Sequence, residues 1–142
     1  MSGFSTLRRF VLSAAMLGFA AHAVAAPAPL TLDVYNPGAA AIFPVSSVLI
    51  SGDKDAILVD AQFGKAQARQ VVDKIRASGK HLTTIYISHG DPDYYFGLET
   101  LTQAFPDAKV VAPGPVVEHI NQTKDAKLAF WGPKMGVDLP ST

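Results

Sequence analysis

From residue 30 the chain alternates. Leu30, Leu32 and Val34 are apolar, and Thr31, Asp33 and Tyr35 fall between them. A period of two is that of a half-buried β-strand. Asn36-Pro37-Gly38 is a turn signal. Ala41 to Ser51 is rich in Ile, Phe, Val and Leu, Gly52-Asp53-Lys54-Asp55 makes a tight connection, and Ala56 to Val59 is a short apolar run that ends at Asp60. Two apolar runs joined by a Gly/Asp loop read as a β-hairpin. The second run is apolar on every residue, so it is expected to be covered on both faces.

The period then changes. Ala68, Val71, Val72 and Ile75 recur at the i, i+3, i+4, i+7 spacing of an amphipathic helix, and Gly79 is placed to stop it. Thr83 to Ile87 is β-branched and aromatic, as strands are. The polar loop Ser88–Gly97 leads into a helix over roughly Leu98–Ala104, then a short strand over Lys109–Ala112. Pro113-Gly114-Pro115 opens a last helix to about Phe130, and after Trp131 the sequence turns to Gly, Pro and polar residues. Strands alternating with helices in the second part imply a mixed sheet carrying helices.

The start of the chain stands apart from this pattern. Arg8 and Arg9 precede an uncharged apolar run, Phe10 to Ala21, and Ala23-Val24-Ala25 offers the small-x-small site of a signal peptidase. The run is shorter than the roughly 20 residues that span a bilayer. Residues 1–25 are therefore expected to be a signal peptide, and 26–142 an exported domain, periplasmic or secreted. Removing the leader removes two arginines and no acid, which turns 12 bases against 12 acids into ten against twelve. No lysine-rich tract exists, so neither a nucleic-acid nor an anionic-membrane partner has electrostatic support. With no cysteine, disulfides, thiolate zinc sites and cysteine nucleophiles are excluded. Ser46 and Ser47 lack a Gly-x-Ser-x-Gly elbow, so a serine hydrolase is not supported.

Chemistry concentrates in Ser88-His89-Gly90-Asp91-Pro92-Asp93-Tyr94-Tyr95-Phe96-Gly97. The segment follows a strand and enters a helix, and α/β folds bind ligands at the carboxyl ends of strands. His89, Asp91 and Asp93 are spaced by two, which in an extended loop sends three metal-competent side chains the same way. One imidazole and two carboxylates can hold a divalent cation, and a cation so held lowers the pKa of bound water. The same residues also read as a helix start, with Asp91 as N-cap, Pro92 at the first helical position and Asp93 at the positive end of the dipole. His81, in a connection, reads as solvated, and His119, among Val116, Val117 and Ile120, as a partly buried or surface residue.

A hydrophobic hairpin ending in Asp, an amphipathic helix, a strand and a metal-binding loop entering a helix together resemble the metallo-β-lactamase superfamily. Its loop reads His-x-His-x-Asp-His, followed by Gly. Aligning it places His89 on the first His, Asp91 on the second, Asp93 on the Asp, Tyr94 on the last His and Gly97 on the glycine; Asp60, ending "AILVD", resembles the acid that supports the site from below. "HGDPDYYFG" also resembles a branch of the superfamily with Asp at the second His position. The resemblance covers about residues 30–120 and implies an α/β fold, the first half of a metallo-β-lactamase-like αββα sandwich.

What the resemblance implies is an exported metal-dependent hydrolase. Metal-activated water would attack an ester, lactone, lactam or thioester. His89, Asp91 and Asp93 would be metal ligands, Asp93 would also orient the nucleophile, and Asp60 and Tyr94 would stand behind or beside them. The implied cofactor is a divalent metal, zinc first, with Mn or Fe favoured by carboxylate-rich ligation. The family's later ligands have no counterpart: beyond residue 97 the only histidine is His119. Three ligands at most make a weak site, so this chain alone is expected to hold metal weakly or not at all and to be inactive. The rival reading is a non-catalytic exported binding or assembly domain that keeps half the fold and self-associates through an uncovered sheet face. A receiver-like doubly wound domain fits "AILVDAQFG" and "TIYISHGDPD" only at the level of fold analogy, and the leader argues against it.

Overall fold

The computed structural model describes residues 29–141, so the expected leader lies outside the described residues. The elements are β1 (Thr31–Tyr35), β2 (Ser47–Ser51), β3 (Asp55–Val59), α1 (Lys65–Ser78), β4 (His81–Tyr86), α2 (Pro92–Tyr95), α3 (Leu98–Ala104), β5 (Lys109–Val111) and α4 (Gly114–Met135). The five strands form one sheet in the order β1-β2-β3-β4-β5. β1, β2 and β3 are antiparallel neighbours, whereas β3, β4 and β5 run parallel. The change of sense follows from the connections. A tight turn closed by Gly52 N–H on the Asp55 carbonyl at 2.8 Å reverses the chain between β2 and β3, while β3 reaches β4 through α1, the crossover that parallel strands need.

The helix spacing is realised in α1: Ala68, Val71, Val72 and Ile75 are all buried, and Gly79 ends the helix in the left-handed conformation at φ 66°. Such a terminus suits glycine, which has no Cβ to clash. That face meets Leu49, Leu58, Leu82 and Ile85 of the sheet and Leu101 of α3 in one core. A bulge between Ala56 and Ile57 shifts the β3–β4 register past Thr83. Leu82 and Ile85, three apart, can therefore both face this core.

Among the described residues the opposite face of the sheet is open. Cross-strand register places Val34, Val48, Val59, Tyr86 and Val111 in one row, with Leu32, Ile50 and Ile57 in the next. Leu32 is 67% exposed and Ile57 41% exposed. The expectation that β3 is covered on both faces is therefore corrected: Ala56 and Leu58 are buried, but Ile57 is not. Its unbroken apolar run reflects a second face without a partner among the described residues.

Other boundaries also differ: β4 runs His81–Tyr86 rather than Thr83 to Ile87, so His81 opens a strand instead of lying in a connection. Residues 41–46 are irregular and the strand begins only at Ser47, since Pro44 has no N–H to give a ladder. Loop 88–97 contains the short helix α2. α4 continues past Phe130 to Met135, with Pro133 in its last turn. Trp131 anchors that turn edge-on to Phe43 and Phe63, with ring centroids 5.4 and 5.0 Å apart.

Candidate metal centre

The site is built on the segment that leaves β3. Asp60 and Gln62 both have positive φ, 63° and 76°, a region non-glycine residues enter only where the surroundings impose it, at about 1–3 kcal/mol each. Here the surroundings are hydrogen bonds to the 86–97 region. Asp60 N–H donates to the Tyr86 carbonyl at 2.8 Å, Ala61 N–H to the Tyr94 carbonyl at 2.7 Å, and Gly97 N–H to the Gln62 carbonyl at 2.9 Å. From the other side, Ser47 Oγ donates to the Asp60 carbonyl at 2.7 Å, while Gln62 Nε2 donates to the Val45 carbonyl and to Ser47 Oγ at 2.9 and 2.8 Å. Gly97 is required by close approach: a Cβ there would drive into the Ala61 carbonyl.

Asp60, only 6% exposed, reaches the loop through Ser88. Its Oδ1 accepts from Ser88 N–H at 2.8 Å and Ser88 Oγ stands 2.9 and 2.7 Å from Oδ1 and Oδ2. Ser88 Oγ is also 2.7 Å from His89 Nδ1. A carboxylate offers only lone pairs and a hydroxyl only one proton. The Ser88 proton therefore goes to Asp60, and His89 Nδ1–H donates to Ser88 Oγ. That selects the tautomer whose Nε2 carries a lone pair, the form in which imidazole ligates a metal.

The rest of the loop is less open. Asp91 is the N-cap residue of α2, with Pro92 at its first position, yet its side chain makes no capping bond. It turns instead to Lys127 of α4, with Oδ1 3.4 Å from the ammonium. Asp93 is half-buried, and burial raises its carboxyl above the ordinary value. The charge of Asp91 adds to that rise, while its own backbone N–H, His89 and Lys127 oppose it. The Tyr94 ring lies 4.4 Å from that of His89. Its phenol is pushed up from the usual 10 by burial and then by the charges of Asp93, Asp60 and Asp91. Tyr94 therefore stays a neutral donor near neutral pH and suits a metal poorly. Among the described residues, no three His, Asp or Glu side chains are gathered closely enough to hold an ion. His89 presents an outward Nε2 lone pair, but the loop alone does not fit a closed metal site. Asp91, Asp93, Tyr94 and Lys127 instead face an open cleft of about 470 Å³ whose far wall is Phe43 and Trp131.

The family model described as the metallo-beta-lactamase superfamily matches residues 41–139, which hold β2 to β5 and the loop. The chain belongs to this superfamily. The uncharacterized protein YobT of Bacillus subtilis (strain 168) is 32% identical over 71 residues, 50% of this chain and 30% of that protein. The metallo-beta-lactamase FIM-1 from Pseudomonas aeruginosa, solved in its mono-zinc form, superposes with a TM-score of 0.52 at 16% identity, covering 67% of this chain and 42% of that one. A metallo-beta-lactamase from Hirschia baltica gives 0.53 at 14% identity, covering 67% and 43%. At these identities the likeness is one of fold, and the chain spans less than half the length of either structure. The metallo-β-lactamase-like mixed sheet expected from sequence is thus the one found.

Within that superfamily fold, the structure brings Asp60, His89, Asp93 and Tyr94 into one neighbourhood and leaves Asp91 on its rim against α4. Three contributors lay outside the sequence reading. Ser88 was legible as the neighbour of His89, but its bridging role needs Asp60 in space. Gln62 and Lys127 gave no local signal at all, the one a buried amide after a strand and the other one lysine among several on a helix.

Proposed function

We propose that this chain is the first half of an exported metallo-hydrolase domain acting on a small ester, lactone, lactam or thioester, with loop 88–97 as its part of the metal site. The observation that carries the reading is the Asp60–Ser88–His89 chain of hydrogen bonds, because it spends a buried carboxylate and a half-buried hydroxyl on fixing one exposed imidazole with its Nε2 lone pair outward. The cleft of Phe43, Trp131, Asp93 and Tyr94 beside the loop suits a small apolar-faced substrate. Because the loop does not close a site by itself, the remaining donors come from outside the described residues. The superfamily supports a divalent metal in general; zinc is the first choice, and the two carboxylates also suit Mn or Fe. The leader expected from sequence over residues 1–25 supports periplasmic or secreted action.

The test is to follow the reading frame past the codon for Thr142 and express its longest continuous product with zinc or manganese. Turnover of a chromogenic ester, lactam or thioester is expected, and Asp93→Ala is expected to abolish it with the circular dichroism spectrum unchanged. Turnover that survives Asp93→Ala would remove the loop from the reaction.

The open sheet face favours a second reading, a non-catalytic domain in which a second copy covers Leu32, Val34, Ile57 and Val111. Soluble monomers seldom leave so contiguous an apolar face bare. Sedimentation of residues 26–142 is then expected to show dimers or larger species, and a monodisperse monomer would contradict it.

A further inference from the structure

Three lone pairs converge on the Lys127 ammonium. Its Nζ donates to the Gly90 carbonyl at 2.8 Å, to Asp91 Oδ1 at 3.4 Å and lies 3.2 Å from His119 Nε2. Lysine has donors only, so His119 must face it with an unprotonated Nε2. A carbonyl, a carboxylate and a neutral imidazole around one cation are the donor set that also takes a divalent ion. The arrangement is tightly packed: a Cβ on Gly90 would come within 2.7 Å of His119 Cδ2, so glycine is what lets α4 approach the loop. The Lys127 side chain is only 19% exposed, which places its charge in the loop rather than in solvent.

We infer that Gly90, Asp91 and His119 form a cation site whose present occupant is the Lys127 ammonium, and that Lys127 competes with a divalent metal for Asp91. This deepens the reading of loop 88–97 as a metal loop and rests on it. It also assigns a ligand role to His119, on an element remote from the loop in sequence. The inference accounts for why Asp91, spaced for a metal and for a helix cap, serves neither. Metal bonds of about 2.0–2.2 Å require the three donors to close in by roughly 1 Å once the ammonium is gone.

Zinc alone, titrated calorimetrically into the full chain, tests it. Lys127→Met keeps the apolar stem and removes the charge; it is expected to bind zinc at least ten times more tightly than the wild type. Lys127→Arg is expected to keep wild-type affinity, and adding His119→Ala to Lys127→Met is expected to erase the gain. Equal zinc affinity in wild type and Lys127→Met, lost with His89→Ala, would overturn the competition while leaving the loop as a metal loop. No zinc binding in any variant would overturn the cation site, whereas the reading of loop 88–97 as a metal loop is overturned separately, by turnover of the longer reading-frame product that survives Asp93→Ala. If Lys127→Met does not fold, nitrogen-15 NMR of the wild type decides: His119 protonated at Nδ1 alone is expected, and a proton on Nε2 would overturn the inference.

Discussion

Asp60 and His89 are joined through one oxygen, Ser88 Oγ, which stands 2.7 Å from the Asp60 carboxylate and 2.7 Å from the imidazole Nδ1. Ser88→Ala removes that atom, leaving His89 free to take either tautomer and the buried Asp60 with one fewer donor. A buried acceptor deprived of its partner costs about 1–3 kcal/mol. Thermal unfolding is expected to fall accordingly, and NMR of His89 is expected to show mixed tautomers where the wild type shows one. Ser88→Thr retains the hydroxyl and is expected to behave as wild type. A single unchanged tautomer in Ser88→Ala would show that the hydroxyl does not set it.

Gly97→Ala addresses the contact between the loop and the strained segment. The added methyl meets the Ala61 carbonyl and the Ala68 side chain, in a place where backbone hydrogen bonds leave no slack. Overpacking of this kind costs about 1–3 kcal/mol or more. Urea denaturation is expected to show a lower midpoint with an unchanged slope; a wild-type midpoint would mean that the 60–63 segment yields easily.

Asp93 links function to stability. Its carboxyl is raised, chiefly by burial, so the folded chain holds that proton to higher pH than the unfolded chain does. Its contribution is fully favourable below the ordinary carboxylate value, about 3.9, and is lost as pH rises through the raised one. Asp93→Asn is therefore expected to unfold at a higher temperature than wild type at pH 7, with the difference disappearing near pH 3. Thermal scans at both pH values read this directly. A destabilised Asp93→Asn at pH 7 would contradict it.

Glu99 carries the opposite sign. The Ser141 backbone N–H, 2.8 Å from its Oε2, and then Lys65, 3.2 Å away, hold its carboxyl below the ordinary value. That stabilisation is present above the ordinary glutamate value and is lost as pH falls through the lowered one. Glu99→Gln is expected to lower thermal stability at pH 7 and to match wild type at pH 3. Equal stability at pH 7 would show the clasp between α1, α3 and residue 141 to be too solvated to matter.

Local periodicity was enough to read most of the elements. Ala68, Val71, Val72 and Ile75 predicted a helix face, and that face is buried; Gly79 predicted its end and sits there at positive φ. The pattern misread β3 because periodicity reports apolarity, not what lies across from it, and Ile57 faces no partner among the described residues. The chemistry at the site was half legible. His89 and Asp93 stand in a run of ten residues with recognisable spacing, whereas Lys127 reaches Asp91 from 36 positions away and Gln62 is buried by a backbone conformation no composition announces. Long-range polar contacts on exposed helices leave no periodic trace.

The strand order, identical to chain order, bears on how such a chain could assemble. Each strand pairs with the one made just before it, so no strand waits for a distant partner and each closure spans only a loop or one or two helices. The sheet can therefore grow from residue 31 onward in the sequence in which a chain emerges from a ribosome or a translocation channel. Its growing margin is always the newest strand, and in the described residues that margin is β5, where Lys109 places a charge on an edge that would otherwise invite a foreign strand.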